Sequence, residues 1–209
     1  MSIVKLNNQA VKNATSFGSI TGLGSMVFIK KLTASSSGTL SFVDGSSDVV
    51  LDNTYKEYLF TFNNIHPSQD GSTFFSFNMS VDSGSNYNVA KTTTDFYAYH
   101  NESGSDSGLY YDTNYDLANG TGFQYLADNS GGDNDQGASG YLHLYNPSST
   151  TFVKHFISRV NISGGAGISN DNFSAGYGNT TSAVDAVIFQ MSSGNIDSGT
   201  IKLYGIKDS

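Results

Sequence analysis

Clustered tyrosines are the residues in this sequence best suited to binding chemistry. Of the 13 Tyr in the chain, five fall in a stretch rich in Ser, Asn and Gly near its middle. A tyrosine combines an apolar ring with a polar hydroxyl, so such a group is suited to hold a saccharide. The alternative is that the rings fill strand faces and subunit contacts. The candidate glycan contacts are Tyr97, Tyr99, Tyr110, Tyr111 and Tyr115.

Aspartates in and around the run DNSGGDNDQG are the candidate cation ligands. The spacing Asp133-x-Asp135-x-Gly137 loosely resembles the start of a calcium-binding loop. The last position of such a loop needs Glu, whereas this chain has Leu144 there, and no flanking helices are predicted. We therefore expect a solvated loop with no metal and no other cofactor. The alternative is a cation site that uses Asp128, Asp133 and Asp135.

Carboxylates that could hydrolyse a glycosidic bond are present, but no motif pairs them. Glycosidases place two carboxylates on either side of the scissile bond, and most candidates here lie in polar loops. The chain has no Cys and no G-x-S-x-G, H-E-x-x-H or P-loop pattern. We therefore expect that the protein is not an enzyme, with a polysaccharide depolymerase as an alternative. The candidate carboxylates are Glu57, Asp95, Glu102, Asp106 and Asp116.

Charge and hydropathy argue against two classes of partner. The formal net charge is -8, Arg159 is the single arginine, and Lys30-Lys31 is the densest basic pair. Binding to nucleic-acid phosphates needs clustered Lys and Arg, so no nucleic-acid partner is expected. No stretch approaches the ~20 apolar residues of a membrane helix, and the start MSIVKLNNQA lacks the apolar run of a signal peptide. We expect synthesis in the cytoplasm without membrane insertion.

Short clusters of Phe, Tyr, Val and Ile between polar, Gly-rich runs predict an all-β protein. About ten or eleven strands are expected, which favours an antiparallel β-sandwich of jelly-roll type. Residues 26–209 would form the sandwich, and residues 1–25 would form an extended N-terminal arm for anchoring and assembly. The alternative for these first residues is a frayed terminus. The apolar arm residues are Ile3, Val4, Leu6 and Val11.

The stretch from Ala138 to Val160 predicts a hairpin around a five-residue Asn-Pro-Ser-Ser-Thr connection. In the assumed register Leu144 faces Phe152 on the core side, and the histidines lie on the other face. His143 and His155 are then diagonal neighbours, close enough for two metal ligands or for a pH-sensitive pair. The simpler alternative is two half-buried histidines whose partners are hydroxyl groups.

Further patterns predict a strand, two hairpins and the end of a strand. Residues 73–81 alternate Phe, Phe, Met and Val on one face, which is typical of a strand with a buried side. The spacing of 26–32 with 39–43, and of 184–191 with 199–206, predicts two more hairpins. The His66-Pro67 dipeptide is expected to end the strand that precedes it.

Three segments of the sequence also carry a resemblance to a known family. They are YKEYLFTFNNIHP at 55–67, SGYLHLYNPSSTTFVKHFISR at 139–159, and residues 175–206, which contain SGNIDSGTIKLYGI. These segments resemble small virion proteins from marine tailed bacteriophages. The resemblance implies a virion structural protein of fibre or decoration type and no catalytic residue. The implied partners are other virion proteins and copies of the chain, as a homotrimer or another homo-oligomer. The alternative is an adhesin module of a tail fibre that binds a host surface glycan.

Overall fold

The computed structural model describes residues 25–71, 73–128, 130–165 and 167–208. These residues form two antiparallel sheets and no helix, so the predicted all-β antiparallel sandwich is confirmed. None of them belongs to a helix that could cross a membrane. The arm residues Ile3, Val4, Leu6 and Val11 lie outside the described part of the chain. The strands are β1 (Met26–Thr33), β2 (Leu40–Val43), β3 (Glu57–Pro67), β4 (Phe75–Ser80), β5 (Lys91–Asn101), β6 (Ser107–Tyr111), β7 (Gln124–Ala127), β8 (Gly137–Tyr145), β9 (Lys154–Gly164), β10 (Ile168–Gly178), β11 (Ala186–Met191) and β12 (Ile196–Ile206).

The two sheets differ in width. The larger sheet has eight strands in the order β1-β12-β3-β8-β9-β10-β5-β6, and the smaller has four in the order β2-β11-β4-β7. The edge strand β7 contacts β9 and β10 of the larger sheet. Beyond this edge the inner face of the larger sheet is less covered: Asp95 on β5 is 3% exposed, whereas Tyr110 on β6 is 51% exposed. The mismatch in width therefore leaves an open recess at one end of the sandwich.

Phenylalanine rings fill the space between the sheets. Phe189 on β11 lies 5.3 Å, centroid to centroid, from both Phe60 and Phe62 of the larger sheet. It also lies 5.8 Å from Phe75 and 6.4 Å from Phe77 of its own sheet. Aromatic pairs at these separations add to the stabilisation that comes from area burial alone. Phe189 is therefore the centre of the apolar core.

The alternating pattern in residues 73–81 predicts β4 well. Phe75, Phe77 and Met79 are fully buried, as the pattern indicates. Val81 does not follow them, because β4 ends at Ser80 and Val81 is 38% exposed. The polar side chains of β4 are buried as well, and hydrogen bonds compensate for their burial. Ser76 Oγ donates to a backbone carbonyl of β11, and Asn78 Nδ2 donates to backbone carbonyls in two loops.

Two of the predicted hairpins are wrong. β1 and β2 lie in different sheets, and so do β11 and β12. Each of these two connections crosses from one sheet to the other. Both are short, and the length of a connection alone does not distinguish such a crossing from a hairpin turn. The prediction that the His66-Pro67 dipeptide ends this strand is confirmed, because these are the last two residues of β3. β3 continues to Pro67 after an irregularity between Phe62 and Ile65, where Asn64 has a φ of 50°.

The central hairpin of β8 and β9 forms, but in a register four residues away from the predicted one. Leu144 lies opposite Phe156, and His143 lies opposite Ile157. An even shift keeps every side chain on its predicted face, so Leu144 is buried and His143 points outward. Phe152 is the exception: it lies in the connection, is 66% exposed, and its N–H donates to Ser149 Oγ at 3.0 Å.

Candidate functional site

A concave pocket occupies the recess beyond the smaller sheet. Tyr97 and Tyr99 of β5 and Tyr110 of β6 line it, and Tyr97 lies directly opposite Tyr110 in the sheet. The cavity measures about 320 Å³, which is at the lower end of the ~300–1,000 Å³ typical of small-molecule sites. We call it the tyrosine pocket. Its other lining residues are Asp106, Asp128, Ile162, Gly164, Ile168 and Asn170.

The three tyrosine rings form a nearly continuous platform. The ring centroids of Tyr99 and Tyr110 are 5.9 Å apart with an interplanar angle of 20°. Tyr97 lies 5.8 Å from Tyr110, at an angle of 32°. Gly108 is opposite Tyr99 in the sheet. A Cβ on Gly108 would lie 2.5 Å from Tyr110 Cε2 and 3.0 Å from Tyr99 Cε1, so the glycine leaves the space that these rings occupy.

Polar groups border this platform. The Tyr99 hydroxyl donates to Asp106 Oδ2 at 3.0 Å, and Asn170 Nδ2 donates to Asp128 Oδ1 at 2.6 Å. Asn170 is only 6% exposed, and its Oδ1 has no hydrogen-bond partner among the described residues. Burial, reinforced by the nearby charge of Asp112, raises the pKa of Asp128 to about 6. The pocket thus offers an acidic oxygen and an unpaired amide oxygen beside aromatic rings.

A buried polar layer supports the pocket from below. Asp95 accepts hydrogen bonds from Ser174 Oγ and, at 3.5 Å, from Gln124 Nε2. Gln124 Oε1 accepts from Thr93 Oγ1 at 2.7 Å, which joins β7 to β5. Burial raises the pKa of Asp95 to about 7. At this end of the sandwich, hydrogen bonds replace the phenylalanine contacts that join the sheets elsewhere.

The structure separates the other two candidate tyrosines from the pocket. Tyr111 lies opposite Phe96 and points to the outer face of the larger sheet, where its hydroxyl donates to Asp116 Oδ2 at 2.7 Å. Tyr115 packs against Phe74 and Tyr125, with ring centroids 5.0 and 5.3 Å away. Of the five tyrosines that sequence analysis selects, three converge on one site and two do not.

The candidate metal ligands do not converge either. Asp128 belongs to the tyrosine pocket, whereas Asp133 and Asp135 lie in the loop before β8. The backbone oxygen of Asp133 is 3.1 Å from His66 Nε2. Within the described ranges, no three His, Asp or Glu side chains are close enough to hold a metal ion.

The two histidines of the central hairpin have separate partners. His143 Nδ1 bonds to Glu57 Oε1, and its ring stacks on Tyr145 at 6.0 Å. His155 lies 5.9 Å from Tyr177. Because Ile157 is opposite His143, the two histidines remain diagonal neighbours on the outer face, but each ring has its own aromatic contact.

The outer face of the larger sheet carries a second candidate site. On this face, residues of β8, β9, β10, β5 and β6 that lie directly opposite one another form an unbroken row across the sheet. A second row, next to the first, reaches Phe28 on β1, whose ring centroid lies 5.7 Å from that of Tyr204. We call this surface the outer band. Its exposed large residues are Phe28, Phe96, Leu109, Tyr111, Tyr141 and Ile157.

The single arginine lies in the middle of the outer band. Arg159 Nη2 donates to Asp171 Oδ2 at 2.6 Å, and its guanidinium carbon is 4.9 Å from the ring centroid of Phe173. Phe173 in turn stacks on Phe96 at 4.8 Å and 3°. The central charge of the band is therefore paired within the same chain.

The part of the tyrosine pocket that comes from β9 and β10 could not be predicted from the sequence patterns. Asn170 alternates with Asn172 and Ser174 along β10, and this period of two is the signal that places them on one face. Polar residues in alternation usually indicate a solvated face, so the pattern does not predict burial.

Comparisons of the chain with known protein families, with curated proteins and with solved structures find no match.

Proposed function

We propose that this chain is a non-enzymatic structural protein of a tailed-bacteriophage virion that works by association with copies of itself and with other virion proteins. The outer band is the observation that carries this proposal. Leu109 and Ile157 in the band are 68% and 49% exposed, and large exposed apolar residues that cluster on one face mark interaction sites. The resemblance of three sequence segments to phage virion proteins supplies the biological setting.

Electrostatics favour a second copy of the chain as the occupant of the band. With a net charge of -8, copies repel one another through most of their surface. At the centre of the band this repulsion between copies is reduced, because Arg159 and Asp171 neutralise each other there. A surface with apolar rings and internally paired charge is complementary to itself, as a symmetric interface between identical subunits requires.

In this proposal the sandwich is the displayed domain and residues 1–25 attach it to the particle. The apolar residues Ile3, Val4, Leu6 and Val11 would bury against the shell or a sister chain. The protein is synthesised in the host cytoplasm and functions in the virion, as a capsid decoration or as part of a tail or neck appendage.

The mass of the purified full chain in solution tests the association. We expect a homo-oligomer by sedimentation at micromolar concentration, and dissociation of this oligomer by Ile157→Asp, which places a charge in the band. Phe152→Asp is the matched control: Phe152 is more exposed, at 66%, but lies in the β8–β9 connection outside the band. A monomeric wild-type chain, or equal dissociation by both variants, would contradict the proposal.

The convergence of Tyr97, Tyr99 and Tyr110 favours a second function, that of a host-glycan-binding adhesin module in a tail fibre. A polysaccharide depolymerase is the third hypothesis. Asp106 and Asp128 both line the pocket, yet each already accepts a hydrogen bond from a neighbouring side chain. Release of reducing ends from host polysaccharide would identify a depolymerase, and binding without release would identify an adhesin.

A further inference from the structure

We propose that the tyrosine pocket binds a pyranose residue of an uncharged polysaccharide, with the sugar ring on Tyr99 and Tyr110 and its hydroxyls on Asp128 and Asn170. This inference deepens the adhesin function and names its ligand class. It does not depend on association through the outer band, because the pocket and the band lie on opposite sides of the larger sheet.

The aromatic platform matches the shape of a sugar ring. The rings of Tyr99 and Tyr110 are only 20° from parallel, with centroids 5.9 Å apart, so their faces have nearly the same orientation. Tyr110 is 51% exposed, and its ring is therefore accessible from solvent. The axial C–H groups of a pyranose form an apolar face that can lie against such a ring. The contact removes apolar surface of the tyrosine from water, while the tyrosine hydroxyl keeps its polar partners.

The buried amide of Asn170 provides the polar half of the site. Its Oδ1 lacks a partner among the described residues although Asn170 is 6% exposed, and buried polar atoms in folded proteins are nearly always paired. The amide is fixed from the other side by the 2.6 Å bond from its Nδ2 to Asp128 Oδ1. A sugar hydroxyl that donates to Asn170 Oδ1 and a neighbouring hydroxyl that donates to Asp128 would satisfy both groups.

Charge selects the kind of sugar. Asp106 and Asp128 line the pocket, and none of the described residues that line it is Lys, Arg or His. Carboxylates that line a pocket repel an anionic ligand, so the binding of uronic and sialic acids is disfavoured. The same carboxylates would attract a cationic ligand, and the binding of glucosamine tests this alternative. An uncharged pyranose fits the aromatic rings and the two hydrogen-bond acceptors best.

Saturation-transfer NMR on the full chain, with methyl glycosides of the common neutral hexoses, deoxyhexoses and N-acetylhexosamines as probes, tests the site directly. Glucuronic acid and glucosamine are included to test the charge selection. We expect at least one neutral glycoside to bind, and Tyr110→Ala to weaken its binding about tenfold. Tyr111→Ala is the matched control, since Tyr111 is the adjacent residue and points to the opposite face.

A second pair of variants separates the site from the fold. Gly108→Ala would push a methyl group into the rings of Tyr99 and Tyr110 and weaken binding. Gly122→Ala should leave binding unchanged, because a Cβ there meets nothing within 4 Å. Sedimentation of the same samples reports on association separately. No binding by any neutral glycoside, stronger binding of the acid or the amine, or equal losses in Tyr110→Ala and Tyr111→Ala would overturn the proposal.

Discussion

Asp95 and Lys91 show how single buried charges shape the stability of this fold. Both lie on the inner face of β5 and are at most 3% exposed. Burial raises the pKa of Asp95 to about 7 and lowers that of Lys91 to about 7. Lys91 Nζ is compensated by hydrogen bonds to Asn78 Oδ1 at 2.6 Å and to the Val89 carbonyl at 2.8 Å. Burial nevertheless shifts each group towards its neutral form relative to the unfolded chain.

These shifts predict the pH dependence of the free energy of unfolding. Between pH 4 and pH 7 the unfolded chain releases the Asp95 proton that the folded chain retains, so stability falls as pH rises. Asp95→Asn should flatten this fall and leave only the smaller part due to Asp128. Urea unfolding at a series of pH values measures the free energy of unfolding of both proteins. The exposed Asp48→Asn is the control, and an unchanged profile in Asp95→Asn would refute the assignment.

At the scale of residues, the sequence predicts chemical type better than environment. The run TTTDFYAYH in β5 places Thr93, Asp95 and Tyr97 on one face and Thr94, Phe96 and Ala98 on the other. Neither face is clearly the more apolar, so periodicity indicates a strand but not its buried side. For this reason the sequence pattern does not predict that Asp95 is buried, although the structure buries it beneath the tyrosine pocket.

Among the elements, β11 carries the residue at the centre of the core, Phe189. Its short sequence AVIFQM is buried at every position except Gln190, and it pairs with both β2 and β4. Phe189 extends from this strand to the rings of β3 in the facing sheet. A short strand in the middle of the smaller sheet thus connects the two layers.

Phe189→Ala should therefore be among the most destabilising single substitutions in the domain. Removal of a fully buried phenylalanine costs about 3–5 kcal/mol, because apolar contacts are lost and a cavity remains. Phe152→Ala, in the exposed β8–β9 connection, should change the free energy of unfolding by no more than about 0.5 kcal/mol. Urea titration of both variants measures the difference. Equal effects would mean that Phe189 is not the centre of the core.

Element patterns could be predicted where one face is apolar, and connections could not. The alternation of Phe75, Phe77 and Met79 predicts both the strand and its buried face. The face of β8 is also predicted, but its register with β9 is not, because Asn146 turns with a φ of 46° and the connection includes Phe152. Whether a strand pairs with its sequence neighbour depends on long-range packing, which short spacings do not encode.

For the whole molecule, the unequal width of the two sheets creates both candidate surfaces. Eight strands against four leave an inner recess for the tyrosine pocket and a broad outer face for the band. Since these surfaces lie on opposite sides of one sheet, copies joined through their bands would still expose their pockets. The sequence predicts the sandwich and contains the signal for all three pocket tyrosines, but sheet width is a property of the assembled topology alone.

The proposed virion role is tested most directly by cryo-electron microscopy of purified particles of a tailed phage whose genome carries this sequence. We expect copies of the sandwich at symmetric positions on the particle, with the outer bands of neighbouring copies buried against each other and Tyr110 open to solvent. Particles that lack the chain, or copies whose outer bands face solvent, would contradict the account.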